Sequence, residues 1–177
     1  MSSLFVRLAL PLELDRKGGR IVRKKKYGLM ETPGALVRRV HQIALSFFFK
    51  HCGDLGLTPA QYSVLAAVNE RPGVDQTGVM GLIALDRSNV AIVVSKLVSS
   101  GHLKRTVNPE DRRTNALSIT TTGRKLLAQM SERLELVYDD LLSPLDSRER
   151  ETLLALLKRI SSTHNEESRA PLFDRQK

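Results

Sequence analysis

The chain has 177 residues, 41% of them hydrophobic, with no tryptophan and a formal charge of +9 at pH 7. That length allows one domain or a domain with arms, and the apolar content is enough for a core. A single cysteine excludes an intramolecular disulfide framework and a Cys-rich zinc site, and no apolar run is long enough to span a membrane.

Residues 1–32 carry eight basic and three acidic side chains, giving +5. The apolar stretch Leu4–Leu14 contains Arg7 and Glu13 and lacks a small-residue cleavage site, which argues against a signal peptide and for a cytoplasmic protein. Gly18-Gly19 and the run Arg23-Lys24-Lys25-Lys26 follow. Three readings of this basic extension stay open: a solvated tail, an arm following DNA, or a start-site artefact with translation beginning near Met30.

Residues 33–57 are expected to hold a first helix. Pro33-Gly34 is a helix start; Leu36, Val40, Ile43 and Phe47 recur as one stripe, with Val37, Ala44 and Phe48 beside it. An anionic aromatic ligand needs apolar walls and a cation. Phe47, Phe48 and Tyr62 are candidates for the walls, and Arg38, Arg39 and His41 for the charge or a hydrogen bond. The bland reading is core or dimer packing for the aromatics and a solvated face for the arginines. Cys52 closes this helix with only Lys50 and His51 as local cations, a weak setting for a reactive thiol. His41 and His51 lack the close spacing of zinc ligands, so no metal site is expected.

Residues 58–120 read as helix, turn, helix, turn, long helix and hairpin. Thr58-Pro59-Ala60-Gln61 is a capped helix start, and Tyr62, Val64, Leu65 and Val68 form its buried face. Arg71-Pro72-Gly73 breaks the chain, and Asp75 caps a short supporting helix through Leu85 with Val79, Leu82 and Ile83 inward. Asp86 and Ser88 are both suitable N-caps for the next helix. Its Val90, Val93, Val94, Leu97 and Val98 face inward, and Gly101 stops it. Arg87, Ser88, Asn89 and Lys96 can therefore sit off the apolar stripe, where Arg suits guanine edges and Asn adenine edges. His102–Val107 and Ala116–Thr120 can pair around the turn Asn108-Pro109-Glu110-Asp111. Lys104, Arg105, Arg112 and Arg113 charge this hairpin, and an arginine at its tip suits a narrow minor groove. Residues 86–125 again total +5, from eight basic and three acidic side chains; the twelve basic and thirteen acidic that remain elsewhere sum to −1. Charge concentrated in this way points to a polyanion partner.

Residues 121–163 are expected to form two C-terminal helices. Thr121 or Thr122 caps a helix with Leu126, Met130, Leu134, Val137 and Leu141 at close to 3.6 spacing, and Pro144 ends it. Asp146 with Glu149 caps a last helix whose Leu153, Leu156, Leu157 and Ile160 form a narrow stripe suited to a partner helix. Residues 164–177 are a polar tail expected to fray.

The pattern Asp86-Arg87-Ser88-Asn89-Val90, Lys96-Leu97, Ser100-Gly101-His102-Leu103, Arg105, Asn108-Pro109-Glu110-Asp111-Arg112-Arg113, Leu117, Thr120 and Gly123 resembles the winged helix-turn-helix core of the MarR family of bacterial transcription regulators. The resemblance covers about Pro33 to Ser162. It implies a mainly α fold with a small β-hairpin wing and a helical dimerisation region formed by the first and last helices. It also implies that Arg113 is the wing-tip residue, that Asp111 orients it, and that Arg112 meets phosphate. Many family members carry Thr-Arg where this chain has Ala91-Ile92, so Ala91 or Ile92 is expected to offer apolar contact to thymine methyls. The run Tyr27-x-Leu29, Pro33-Gly34-x-Leu36-x-Arg38-Arg39-x-His41-Gln42 is similar to a subgroup that regulates aromatic-acid catabolism.

The expectation is thus a homodimeric repressor on a palindromic double-stranded operator, with no cofactor, released by an aromatic acid or aromatic acyl-coenzyme A. An oxidant sensor acting through Cys52 and a winged-helix module for protein or RNA are the alternatives. No nucleophile elbow, phosphate loop or metal-helix spacing supports an enzyme.

Overall fold

The computed structural model describes residues 27–107 and 114–173, together with the backbone of two short strands nearer the N-terminus. Those strands, β1 (Glu13–Leu14) and β2 (Ile21–Val22), pair antiparallel with Glu13 opposite Val22, a hairpin that composition alone did not suggest. By internal packing the chain divides into Met1–Gln42 and Ile43–Lys177.

Helix α1 (Pro33–Cys52) begins at the expected proline. Helix α2 (Pro59–Glu70) starts with a full capping box: the Thr58 hydroxyl accepts from the Gln61 amide at 3.3 Å, and the Gln61 side chain accepts from the Thr58 amide at 2.8 Å. Helix α3 (Gln76–Ile83) is capped by Asp75, whose carboxylate accepts from the Gly78 amide at 2.6 Å. It ends two residues earlier than the sequence suggests, because Ala84 turns left-handed at φ 51°.

Helix α4 (Arg87–Ser99) is capped by Asp86; Ser88 already lies inside its first turn. The reason is visible in the backbone, where the Val90 amide donates to the Asp86 carbonyl at 3.0 Å as the first intrahelical bond. Gly101, at φ 73°, ends the helix. The His102 amide bonds the Leu97 carbonyl and the Gly101 amide the Val98 carbonyl, which satisfies two terminal acceptors. Helices α3 and α4 meet at 114°, within the range of helix-turn-helix pairs. Among the described residues no single helix is long and apolar enough to cross a membrane.

Strands β3 (Leu103–Val107) and β4 (Asn115–Ile119) form the hairpin, with Leu103 opposite Ile119 and Val107 opposite Asn115. Strand β3 starts one residue later than expected and ends at Val107 as expected, while β4 lies one residue nearer the N-terminus than expected. A third segment joins them: the Gly73 amide donates to the Leu117 carbonyl and the Leu117 amide to the Val74 carbonyl, each at 2.9 Å. The hairpin is thereby tied to the α2–α3 turn.

Helix α5 (Thr121–Leu142) is capped by Thr120, not by Thr121 or Thr122. Thr120 is the last extended residue after β4, and its hydroxyl accepts from the Gly123 amide at 3.0 Å while donating to the Gly101 and His102 carbonyls. Gly123 is buried because a methyl group there would overlap the His102 carbonyl oxygen. Helix α6 (Ser147–Thr163) carries the Asp146/Glu149 capping box.

One core joins the second unit. Phe48 and Cys52 of α1, Val64, Leu65 and Val68 of α2, Val79 of α3, Val90, Val94 and Leu97 of α4, Leu103, Leu117 and Ile119 of the hairpin, and Met130, Leu134 and Val137 of α5 all pack into it. Each buried side chain of Val or Leu size contributes about 1.5–3 kcal/mol. Helix α6 contributes no buried residue: Leu156, Leu157 and Ile160 remain 42%, 46% and 60% exposed.

The C-terminal segment departs from expectation. After α6 it makes a 3₁₀ turn (Asn165–Glu167), and the Phe173 amide then donates to the Gly81 carbonyl at 3.0 Å. Described residues up to Phe173 are held by hydrogen bonds and an apolar contact that the polar composition of the segment conceals.

Candidate nucleic-acid interface

Burial of Val90, Val94 and Leu97 fixes which side of α4 looks outward. At 3.6 residues per turn, Ser88, Ile92, Ser95 and Ser99 form the opposite stripe, with Lys96 and Ala91 on its flanks; all are exposed. Ile92, at 55% exposure, is a large apolar side chain at the centre of this otherwise polar face. Ser95 was not singled out from sequence, although it lies seven residues after Ser88 and so falls on the same face. Arg87 and Asn89 are exposed at the first turn.

Asn89 is already engaged. Its amide nitrogen Nδ2 donates to Asp86 Oδ2 at 2.7 Å, while its backbone amide donates to Asp86 Oδ1 at 3.0 Å. The bonds from the Asn89 backbone and then its side chain hold the Asp86 carboxyl below the usual carboxylate range. The Asn89 amide keeps its second N–H and its carbonyl oxygen, the two groups that an adenine edge pairs with. The cap therefore pre-orients the side chain expected to read a base.

Lys104 and Arg105 are both exposed on β3. Successive strand residues point to opposite faces; Arg105 shares its face with Leu117 and Lys104 with Ser118, the residues opposite them on β4. One duplex surface therefore cannot meet both from the same side of the ribbon. Asp111, Arg112 and Arg113, the expected wing tip, lie outside the described residues.

The residues proposed for a small-molecule site fall in two groups. Arg38, Arg39 and His41 are exposed on the first half of α1. In the second unit Phe48 is buried, while Phe47 and Tyr62 are half-buried. Burial, and then the Tyr62 hydroxyl, raise the Tyr138 phenol above its ordinary pKa, with Glu135 and Cys52 adding to the effect. At the end of α1, Lys50 Nζ and His51 Nε2 both meet Asp140 Oδ2 at 2.8 Å, and Arg133 bonds the His51 carbonyl and the Asp54 carboxylate. These contacts fasten α1 to α5. Two open cavities border α6, of about 460 Å³ beside Lys158, Ser161, Ser162, Asn165 and Leu172, and about 340 Å³ beside Leu145, Arg148 and Leu156. Neither is lined by the predicted aromatics.

Cys52 is fully buried, and burial pushes its thiol pKa up despite the opposing charge of Arg133. A protonated, inaccessible thiol is a poor nucleophile. Iodoacetamide is expected to leave Cys52 unmodified in the native protein and to label it once the protein is unfolded, as read by intact-mass measurement. Rapid native labelling would restore the oxidant-sensing alternative. Among the described residues there is no group of three or more His, Cys, Asp or Glu side chains able to hold a metal ion.

Residues 55–114 match the sequence profile of the MarR family. A Thauera aromatica protein described as a transcriptional regulatory protein for the hcr operon is 33% identical over 105 residues, which span 59% of this chain and 63% of that relative. The solved structure of Bordetella bronchiseptica BpsR, whose DNA binding is regulated by 6-hydroxynicotinic acid, aligns with a TM-score of 0.74 and 28% identity over 77% of this chain and 98% of BpsR. PcaV from Streptomyces coelicolor, solved with its natural ligand, aligns with a TM-score of 0.73 and 30% identity over 78% of this chain and 98% of PcaV. With the profile seated on α2 to α4 and the first strand of the hairpin, and the likeness extending over nearly all of both solved chains, this chain belongs to the MarR family of transcriptional regulators.

Proposed function

We propose that the protein is a homodimeric, ligand-responsive repressor that binds a palindromic operator of an aromatic-compound catabolic operon and is released by an aromatic acid or its coenzyme A thioester. The observation that carries this reading is the outward face of α4. Ser88, Ile92, Ser95 and Lys96 are exposed there, on a helix whose other side is locked into the core, next to a hairpin bearing Lys104 and Arg105. Phosphate contacts by the cations provide affinity, and the helix face provides sequence choice.

Leu156, Leu157 and Ile160 are exposed on α6, and Leu36, Val37 and Val40 are exposed on α1; each helix face, taken by itself, supports a second copy as partner, because exposed apolar surface marks an association site. A two-fold dimer requires half-sites about one helical turn apart, about 34–36 Å. For the effector, Phe47 and Tyr62 are proposed to supply aromatic surface. BpsR, with a hydroxylated aromatic acid as its regulator, supports the chemical class. Release follows if the effector has unequal affinity for the DNA-bound and free spacings of the two recognition helices.

Fluorescence anisotropy on labelled DNA from upstream of its own gene tests this reading. Aromatic acids and, separately, their coenzyme A thioesters are titrated into the complex. Palindrome-specific binding reversed by one of these classes is the expected result, and the class that acts defines the effector. Binding to scrambled DNA of equal strength at equal salt would overturn the operator reading. Tight specific binding that neither class disturbs would overturn the effector.

A further inference from the structure

The segment after α6 is fastened at both of its ends. Asn165 brackets Leu172: its Oδ1 accepts from the Leu172 amide at 2.8 Å and its Nδ2 donates to the Leu172 carbonyl at 2.9 Å. The next residue, Phe173, bonds the Gly81 carbonyl through its amide at 3.0 Å. A methyl group at Gly81 would overlap the Phe173 carbonyl oxygen and lie 2.7 Å from two of its ring carbons. Position 81 of the supporting helix therefore lacks a side chain where the tail covers it.

Between these two fastenings Arg169 is exposed. The seat of Phe173 on Gly81 lays the loop against α3 close in sequence to the turn into α4, and the Arg169 charge is, after the Asn89 hydrogen bonds, among the influences that lower the carboxyl of Asp86, the cap of the recognition helix. Glu166 and Glu167 remain in the 3₁₀ turn at the far end of the loop. An uncompensated carboxylate on a surface that meets duplex DNA would repel phosphate, and a neighbouring guanidinium offsets that charge.

We propose that the clipped segment Asn165–Phe173 is part of the DNA-binding face, with Arg169 contacting a backbone phosphate beside the half-site read by α4. The contact rests on the operator reading above and adds to it a cation outside the helix-turn-helix and hairpin. It carries affinity without sequence preference, because phosphates are alike along the duplex. The supporting helix holds the loop through Gly81, so the contact depends on a position that bears no charge.

The test is the salt dependence of binding to the labelled upstream duplex by wild-type protein, Arg169→Ala, Gly81→Ala and the double variant. Each neutralised phosphate contributes about 0.9 to the slope of log affinity against log salt. Arg169→Ala is expected to reduce the slope by about 1.8 for a dimer, with the same proportional loss on scrambled DNA. Gly81→Ala is expected to reproduce much of that change and to speed tryptic cleavage after Arg169. Adding Arg169→Ala to it should then have little further effect. Circular dichroism on each variant separates detachment of the tail from unfolding. An unchanged slope in Arg169→Ala, with normal wild-type binding, overturns the contact alone. A wild-type protein with no palindrome-specific binding overturns the operator reading and this contact with it.

Discussion

An Ile92→Glu substitution is expected to weaken operator binding about thirtyfold or more while leaving the thermal midpoint within error of wild type. Ile92 is 55% exposed at the centre of the outward stripe of α4, so its side chain contributes little to folding, and surface substitutions of this kind stay within about 0.5 kcal/mol. In a groove the same side chain faces base edges and is flanked by phosphates. One spoiled contact costs about 1–3 kcal/mol, and a dimer presents the position twice, for a total of about 2–6 kcal/mol, before the repulsion of a carboxylate by phosphate is added. Anisotropy at fixed salt, paired with thermal melting, separates the two effects. Near wild-type affinity in this variant would mean that α4 does not enter the groove. Ser95→Ala should give a smaller loss confined to the matched sequence.

The largest expected loss of stability follows Gly123→Val. The methine and methyl groups added there would run into the His102 carbonyl oxygen, with Ile119 Cγ1 at 2.9 Å from the first added atom. The same carbonyl accepts from the Thr120 hydroxyl and from the Thr120 amide, each at 3.1 Å. Displacing it therefore disturbs the cap of α5 as well as the packing. Overpacking of this kind costs about 1–3 kcal/mol, and the loss of a Thr cap adds about 1 kcal/mol. Urea denaturation should show the midpoint falling with the slope unchanged. Gly34→Ala on α1, where an added methyl meets nothing within 4 Å, serves as the neutral comparison. Equal midpoints for the two variants would mean that the hairpin base yields without cost.

Features governed by neighbours in sequence were legible before the structure. Thr58, Asp75 and Asp146 cap helices because a side-chain oxygen reaches an amide three residues on, and that spacing is written in the chain. The stop at Gly101 is equally local. Ambiguity arose where two residues met the same local rule, as with Asp86 and Ser88, which the Val90 amide on the Asp86 carbonyl decides; of the run of threonines the sequence pointed to Thr121 or Thr122, whereas Thr120 is the cap, its hydroxyl accepting from the Gly123 amide and donating to the Gly101 and His102 carbonyls. Features made by distant partners were not legible. The bonds between Leu117 and the Gly73–Val74 segment and the seat of Phe173 on Gly81 each join residues far apart in sequence, and no period records them. For the DNA-binding face the sequence revealed the helix and its cations. Which exposed residues share a stripe, and that Lys104 and Arg105 diverge, emerged only when burial and register were known.

Ala84 carries a consequence for how the two helices of the reading head hold their angle. Its left-handed backbone, at φ 51°, costs an alanine about 1–2 kcal/mol, a strain that glycine would not bear. Alanine and glycine codons differ by a single base, so relief is one mutation away. That mutation would also enlarge the conformational freedom of the joint. An alanine here exchanges part of the fold's free energy for a stiffer hinge. Variation at this one site is thus a means of tuning how tolerant the protein is of sequences that bend or space their half-sites differently, with no change in any residue that faces DNA.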